Sequence, residues 1–252
     1  MGLTGFGALF LGSVVFRYGP PERNEEGNEI VDKYTDLPTF QAYVYRSFRH
    51  LLDFNQSIRD PVSDKLLPDP VKPPYYQPPY TLVLEVTDLL VHPDWKFRTG
   101  WRFKKRPALE AFLKQLHPYY EVIAFSSESI MTAGPVLAQL DSQGQYFSHR
   151  LFREATRYRN GRHIKDLSCL NRDLSRVVLI DWNPEAASMQ PENAFIIRRW
   201  RGEDTDTDLL DLAAFLRMLA MGGVEDVRLV LDHYRNFADP LAEFRIRHHQ
   251  FM

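Results

Sequence analysis

Apolar residues keep different periods in different stretches of this chain, and each period names an element. Between 37 and 58 they stand at Phe40, Tyr43, Val44, Phe48, Leu51, Leu52 and Ile58, with Arg46, Arg49 and His50 among them. This spacing predicts an amphipathic helix that packs its apolar side on the body of the protein. Prolines at 68, 70, 73, 74, 78 and 79 then forbid helix and central strand over 66–80, leaving an extended strap that marks a boundary. Beyond it, 81–86 is a continuous apolar run, as in a strand buried on both faces. Residues 107–116 open on a proline and repeat Leu109, Phe112, Leu113 and Leu116 at helical spacing. The pattern continues with a strand at 120–125, a helix at 130–140 interrupted by Gly134-Pro135, and buried strands at 177–180 and 194–197. Terminal helices follow at 209–219 and 224–234, separated by Gly222-Gly223.

Strands alternating with helices of crossover length predict an α/β fold, a three-layer parallel sheet. Ligands of such sheets sit beyond the carboxyl ends of the strands, so function is to be sought after Val86, Phe125 and Ile180. Two insertions break the alternation. Residues 91–106 surround a Thr99-Gly100 turn and read as a protruding β-hairpin, and Asn160-Gly161 between Phe152 and Ile164 signals a second.

Composition changes this picture at three points. The chain's 252 residues carry a net charge of -2, which gives no global drive toward nucleic acid. The single cysteine, Cys169, rules out an internal disulfide, and with no second thiol it also argues against a zinc cage. Residues 2–16 carry no charge and are rich in Gly, Leu, Phe, Ala and Val. A spanning helix needs about 20 apolar residues, so this run is short, but it lacks the basic start and small-residue cleavage site of a signal peptide. It is expected to be a membrane anchor, with a signal-type apolar region or a plain hydrophobic tail as alternatives. The acidic stretch behind it, Glu22, Glu25, Glu26, Glu29 and Asp32, is expected to face away from the compartment of insertion. In the first hairpin, Trp95, Phe97, Trp101 and Phe103 interleave with Lys96, Arg98, Arg102, Lys104, Lys105 and Arg106. That pattern serves either base stacking or a solvated hairpin with snorkelling cations, and the overall charge argues against nucleic acid.

After the first strand the chain reads Leu84-Glu85-Val86-Thr87-Asp88-Leu89. This resembles the first motif of the small carboxy-terminal-domain phosphatases of the haloacid dehalogenase superfamily, Asp-x-Asp-x-Thr after an apolar strand. Further counterparts come in order: Ser126 for the phosphate-holding hydroxyl, Lys165 for the lysine, Asp181 for the metal carboxylate. The resemblance implies a haloacid dehalogenase-type sheet with the inserted hairpin. The chemistry such an enzyme needs is missing in part. Glu85 stands at the nucleophile position, one methylene longer, where a displacement of about 1 Å can cost ~100-fold. Thr87 stands at the acid/base position, and its hydroxyl cannot exchange protons near neutral pH, a loss of ~10²–10⁴. Leu89 stands at the Thr position. No catalytic residue and no metal-ligand set is therefore expected, although Glu85 and Asp181 could hold a divalent ion weakly.

Further segments, Tyr75-Tyr76-Gln77-Pro78-Pro79-Tyr80, Gly100-Trp101-Arg102-Phe103, Ser168-Cys169-Leu170-Asn171 and Gly223-Val224-Glu225-Asp226-Val227, resemble the receptor subunit of the mitochondrial inner-membrane presequence translocase. The resemblance implies an anchor at 1–18, a helix and proline-rich linker at 19–79, a phosphatase-like binding domain at 80–241 in the intermembrane space, and a tail at 242–252. It implies no cofactor. As partners it implies presequence-bearing preproteins, the other translocase subunits and the inner membrane. Family members begin with a basic, Ser-rich leader; this chain begins at the anchor, as expected of a trimmed form or of targeting by internal signals. Presequences are amphipathic, Arg-rich and poor in acids. A site for them is expected to combine an apolar wall from Trp95, Phe97, Trp101 and Phe103 with acids from Asp88 and Asp94, or from Glu203, Asp204, Asp206 and Asp208. Lys104, Lys105 and Arg106 would then dock an acidic partner or anionic lipid. A weak magnesium-dependent phosphatase and a basic-hairpin module for RNA or anionic lipid stay open as rivals.

Overall fold

Five parallel strands, three of them buried along their whole length, organise the protein. In the computed structural model, residues 13, 15–21, 32–35, 37–59, 63, 65–97, 100–159 and 161–250 are described, the side chains at 51–59, 96, 101 and 248–250 excepted. The chain divides into two compact units, Met1–Arg59 and Asp60–Met252.

In the second unit the strands β1 (Tyr80–Leu84), β4 (Tyr120–Phe125), β5 (His149–Leu151), β8 (Val177–Asp181) and β9 (Ala194–Ile196) form one sheet in the order β5-β4-β1-β8-β9. All of its pairings are parallel, with Leu82 opposite both Val122 and Val178. Alternation along the strands divides the core. Tyr80, Leu82, Leu84, Val122, Val178 and Ile180 face a large cluster that includes Phe112, Leu137, Phe215, Leu231 and Phe244. Those residues come from α2 (Leu109–Leu116), α3 (Ile130–Leu140), α4 (Asp208–Met221), α5 (Val227–Arg235) and α6 (Pro240–Gln250). Val83, Ile123, Phe125 and Leu179 face the other way, where Leu67, Ala155, Leu167, Leu170 and Ala187 cover them. The third layer is thus built from the strap and short turns instead of long helices. Two buried tyrosines bind the sheet to the helical side, Tyr120 through its hydroxyl to the carbonyl of Leu216 and Tyr80 to that of Val224, each at 2.7 Å.

The strap is fastened at one residue of β4. Glu121 accepts from Arg172 Nε at 2.7 Å and Nη2 at 2.8 Å and from Gln77 Nε2 at 3.1 Å. Arg172 also donates to the carbonyl of Pro68 at 2.9 Å, so one guanidinium joins sheet and strap. Outside the sheet, β2 (Val91–Lys96) and β3 (Gly100–Lys105) form the protruding hairpin, and β6 (Arg157–Arg159) pairs with β7 (Arg162–Ile164).

The structure departs from the sequence pattern in several places. The helix at 130–140 is not interrupted: Pro135 lies inside α3. The carbonyl that a residue-135 N–H would have met belongs to Met131, whose side chain is 84% exposed, so solvent can satisfy it. Strand β5 is too short and polar, His149-Arg150-Leu151, to show a strand period. Leu241 and Phe244 carry the core into the segment that the sequence reads as the domain's end and tail.

In the first unit, α1 (Thr39–Arg59) shows Phe40, Val44 and Phe48 exposed, whereas Ala42, Arg46 and Ser47 are buried. The side chains of Leu51, Leu52 and Ile58, also on the apolar side read from the sequence, lie outside the described residues. The opposite side is claimed by Arg46, which pairs with Asp32 through Nε at 2.7 Å and Nη2 at 2.9 Å. Gly19 sits against it so closely that a Cβ would lie 2.7 Å from that of Tyr43. The anchor expected at 1–18 falls almost wholly outside the described residues, of which 15–18 are helical. No helix among the described residues is long and apolar enough to cross a membrane.

Arg172→Ala removes one partner of a buried ion pair and releases the strap together. It is expected to lower stability by about 3 kcal/mol and to open the 65–79 segment to proteolysis, both readable by urea unfolding and limited digestion. Intact protease resistance with an unchanged unfolding midpoint would show that the strap is held without Arg172, by Leu67, Gln77 and Asn171.

Candidate functional site

Three parallel strands deliver their last residues to one point. Glu85 follows β1, Ser126 and Ser127 follow β4, and Asp181 ends β8. Lys165, just after β7, reaches the same point and is fully buried. Its ammonium donates to Glu85 Oε2 at 2.7 Å and to Asp181 Oδ2 at 2.5 Å. Its backbone N–H is held by the carbonyl of Ala186 at 2.8 Å. Glu85 accepts from four more donors. Oε1 takes the N–H of Val86 at 2.7 Å and of Thr87 at 3.3 Å; Oε2 takes the Ser127 N–H at 3.1 Å and its hydroxyl at 2.6 Å. The second oxygen of Asp181 accepts from the N–H of Asn183 at 2.8 Å.

The hydroxyl that reaches Glu85 is thus that of Ser127, not Ser126. Ser126 is fully buried and its oxygen accepts from the N–H of Glu128 at 3.1 Å. Leu89 is likewise fully buried and belongs to the apolar core.

Burial destabilises every charge in this cluster, and the partners decide the outcome. For Glu85, desolvation is outweighed by Lys165, Ser127 and the Val86 amide, so its carboxyl stays below the usual range. Lys165 is held above its usual value by Asp181 and Glu85 despite its burial. Asp181 moves up, pushed by burial and by the Glu85 charge more than Lys165 holds it down. A divalent ion of the kind the phosphatase resemblance implies does not fit this donor set. The facing oxygens of Glu85 and Asp181 are both engaged by the ammonium, and position 87 offers a hydroxyl where a carboxylate would be needed. Among the described residues, no three His, Cys, Asp or Glu side chains gather as a metal site.

A second cluster lies over the first. Asp88 adopts a left-handed conformation, φ 62°, uncommon outside glycine. It is buried, accepts from Arg199 Nε at 2.8 Å, and lies 2.6 Å from His92 Nδ1. The Arg199 guanidinium stacks 4.2 Å from the ring of Trp182, whose Nε1 donates to the carbonyl of Thr87 at 2.9 Å. Asp88 is therefore a support of the loop that carries Thr87, and its charge is already matched.

In the hairpin, register sets Trp95 opposite Trp101 and Pro93 opposite Phe103, so the aromatic positions of both strands share a face. Asp94, half-buried, stands opposite Arg102 on the other face. The basic residues at the base are paired. Arg106 is buried and donates to Asp206 through Nε at 2.7 Å and Nη2 at 2.8 Å, and to Asp208 at 3.0 Å. Lys104 meets Asp204 at 2.7 Å and Lys105 meets Glu110 at 3.2 Å. Glu203 accepts from the N–H of Arg201. Lys104 and Arg106 thus meet Asp204, Asp206 and Asp208 at the root of the hairpin, while Lys105 turns to Glu110 of α2. Its outer part is open: Trp95 is 55% and Phe97 92% exposed. Between the hairpin and α3 runs a cleft of about 350 Å³ lined by Thr87, Pro93, Phe103, Glu128 and Thr132. Ile130 and Met131, both exposed, open α3 beside it, and Glu154 accepts from the Ile130 N–H.

Sequence reasoning passed over Ser127, Glu128, Arg199 and Asp166. A doubled Ser after a strand is the only local signal for the first. Asp166 holds the turn behind Lys165 by accepting from Arg157 Nε at 2.5 Å, from the Ser168 N–H at 3.1 Å and hydroxyl at 2.5 Å, and from Gln190 Nε2 at 3.0 Å.

Comparison with known proteins agrees with this geometry. The family described as NLI interacting factor-like phosphatase matches residues 80–228. "Mitochondrial import inner membrane translocase subunit TIM50" of Homo sapiens is 49% identical over 246 residues, covering 98% of this chain and 69% of that protein. The protein of the same name from Danio rerio is 48% identical over 250 residues, covering 99% and 64%, and that from Caenorhabditis elegans 43% over 245 residues, covering 96% and 54%. The chain thus spans between about half and two thirds of its relatives' length. Among solved structures, "The Structure of Fcp1, an essential RNA polymerase II CTD phosphatase" shares the fold with a TM-score of 0.53 at 14% identity, covering 62% of this chain and 70% of that one.

Asp166 makes the site's support dependent on pH. Burial alone would raise its carboxyl, but Ser168, Arg157 and Gln190 outweigh burial and hold it at about 2. A folded value below the unfolded one, about 3.9, contributes stability that is present above about pH 4 and is lost as pH falls toward 2. Asp166→Asn is expected to be less stable near neutral pH, with the gap to wild type closing over that window when urea midpoints are compared. A gap constant with pH would mean that shape, not charge, makes Asp166 matter.

Proposed function

We propose, because this chain belongs to the family of the TIM50 subunit of the mitochondrial import inner membrane translocase and to that of the NLI interacting factor-like phosphatases, that it is a non-catalytic receptor. It binds presequence-bearing preproteins in the intermembrane space and passes them to the other translocase subunits. Residues 1–18 serve as a single-pass anchor, 19–79 as helix and linker, and 80–241 as the binding domain.

The observation that carries the receptor role is the cleft between the hairpin and α3. Its wall is apolar, from Pro93 and Phe103, and Glu128 supplies a carboxylate. Exposed Ile130, Met131 and Trp95 widen the apolar surface. An amphipathic, Arg-rich helix matches such a surface, laying its apolar side in the groove with its cations toward the acids. The acids that serve it are Glu128 and Glu154, since Asp88, Asp206 and Asp208 are spent on arginines of the protein itself. Phe97 at the outer hairpin is the contact for a partner subunit or the lipid surface.

Two features support the absence of catalysis. Thr87 cannot act as a proton donor and acceptor near neutral pH. Both oxygens of Glu85 are saturated with hydrogen bonds, which leaves no free pair for in-line attack.

Titration with a fluorescent presequence peptide tests the reading. Phe103→Ser with Met131→Ser is expected to weaken binding about tenfold, near 1.4 kcal/mol. Glu128→Lys should weaken it and flatten its salt dependence, while Lys105→Ala leaves it unchanged. Binding untouched by the cleft substitutions, or magnesium-dependent aryl phosphate hydrolysis by the wild-type protein, would move the function elsewhere.

A further inference from the structure

The sheet ends at β9, and the outer side of that strand is unpaired. Ile197 donates its N–H to the carbonyl of Asp181 at 2.9 Å, so the backbone polar groups of 195 and 197 turn toward β8. Successive residues of a strand turn these groups to opposite sides. The N–H and C=O of Ile196 therefore point away from the sheet, and among the described residues nothing bonds to them. Ala194 turns the same way, but its N–H is taken by the carbonyl of Pro191. An unpaired donor and acceptor on a sheet edge are a template for another strand.

A cavity of about 260 Å³ lies along this edge. Its walls come from both layers that cover the sheet. Phe237 and Pro240, between α5 and the start of α6, belong to the helical side; Pro184, Ala187 and Pro191 belong to the turns on the other. The space is thus the one that a sixth strand would enter. Prolines bring no N–H, so Ile196 supplies the backbone contact and the walls supply apolar surface. Phe237 is held by the ring of His233 at 5.7 Å and the guanidinium of Arg247 at 5.8 Å, which forms the wall before any ligand arrives. Among the described lining residues Arg235 alone is charged, and it pairs with Asp232. A lone cation is the wrong sign for an Arg-rich presequence and suits a segment without cations. An acyl chain would leave the Ile196 groups unpaired. A second copy is poorly served as well, because a three-residue edge falls short of the roughly 1,200 Å² that a stable interface buries.

We propose that β9 and this cavity form a strand-addition site for an extended, cation-free polypeptide segment, whose backbone pairs with Ile196 while one large apolar side chain enters between Phe237 and Pro191. Resting on the receptor reading, the segment is the unfolded stretch of a preprotein behind its presequence. Presequence and following chain are then held in two modes, a helix in the hairpin cleft and a strand on β9.

The test is a titration of the full chain with a short fluorescent peptide of alternating Thr and Val, one central Phe and no cation, followed by anisotropy. Wild type is expected to bind it. Ile196→Pro removes only the outer N–H, at an edge where proline is tolerated, and should weaken binding about tenfold, as should Phe237→Ala. Methylated backbone nitrogens in the peptide give a readout that needs no variant of the protein. Methyl groups on one alternate set should weaken binding about tenfold, and on the other set leave it unchanged. No binding by wild type, equal effects from the two methylated sets, or competition between this peptide and a presequence peptide overturns the proposal. A dimer in sedimentation that Ile196→Pro dissolves overturns it too, since β9 then serves a second copy. A chain that binds this peptide but no presequence keeps the strand site and loses the receptor reading, so the two fail separately.

Discussion

One buried ammonium organises the centre of this molecule. Lys165 stands fully buried between Glu85 and Asp181, the last polar residues of two adjacent parallel strands. Two carboxylates at the ends of β1 and β8 would repel each other in a medium of low polarity. The lysine makes their approach possible, and the amides after β1 and β4 stabilise the remaining charge. The turn bearing Lys165 must be held just as firmly, which is the task of Asp166 and its partners Arg157, Ser168 and Gln190. Charge balance at the strand ends therefore constrains loops that are far apart in the chain.

The same logic recurs at the edges of the domain. Arg106 anchors the root of the hairpin in Asp206 and Asp208, and Arg172 ties the strap to Glu121 of β4. Buried arginines suit these places because the planar fork meets a carboxylate with two bonds at once. The outcome is a rigid base with apolar extensions, Trp95 and Phe97 on the hairpin and Met131 on α3, left exposed around a cleft.

The layering of the fold fixes the geometry of the strand-end site. Alternating residues of β1, β4 and β8 are buried in two different clusters, so the strands cannot shift without disrupting both. Glu85, Ser127 and Asp181 are placed by that packing whatever they do. A phosphatase-like frame can thus keep the shape of its site while the residues in it change role.

Much of this was legible in the sequence because it depends on local pattern. The continuous apolar runs named the central strands, and the order of Glu85, Ser126, Lys165 and Asp181 along the chain placed the site at their carboxyl ends. At 85, 87 and 89 the sequence shows Glu, Thr and Leu where the phosphatase motif it resembles has Asp, Asp and Thr. Pairing was not legible, since it depends on which charges meet in space. Arg106 and Asp206 lie 100 residues apart, Arg199 and Asp88 lie 111 apart, and no period links them. Arg106 and Lys104 therefore looked like part of a free basic surface although they meet Asp206, Asp208 and Asp204. The choice of Ser127 over Ser126 was likewise decided by the direction in which the chain leaves β4. Local periodicity determines elements; the partners of charged groups, and so the faces left open for binding, are decided only when the elements pack.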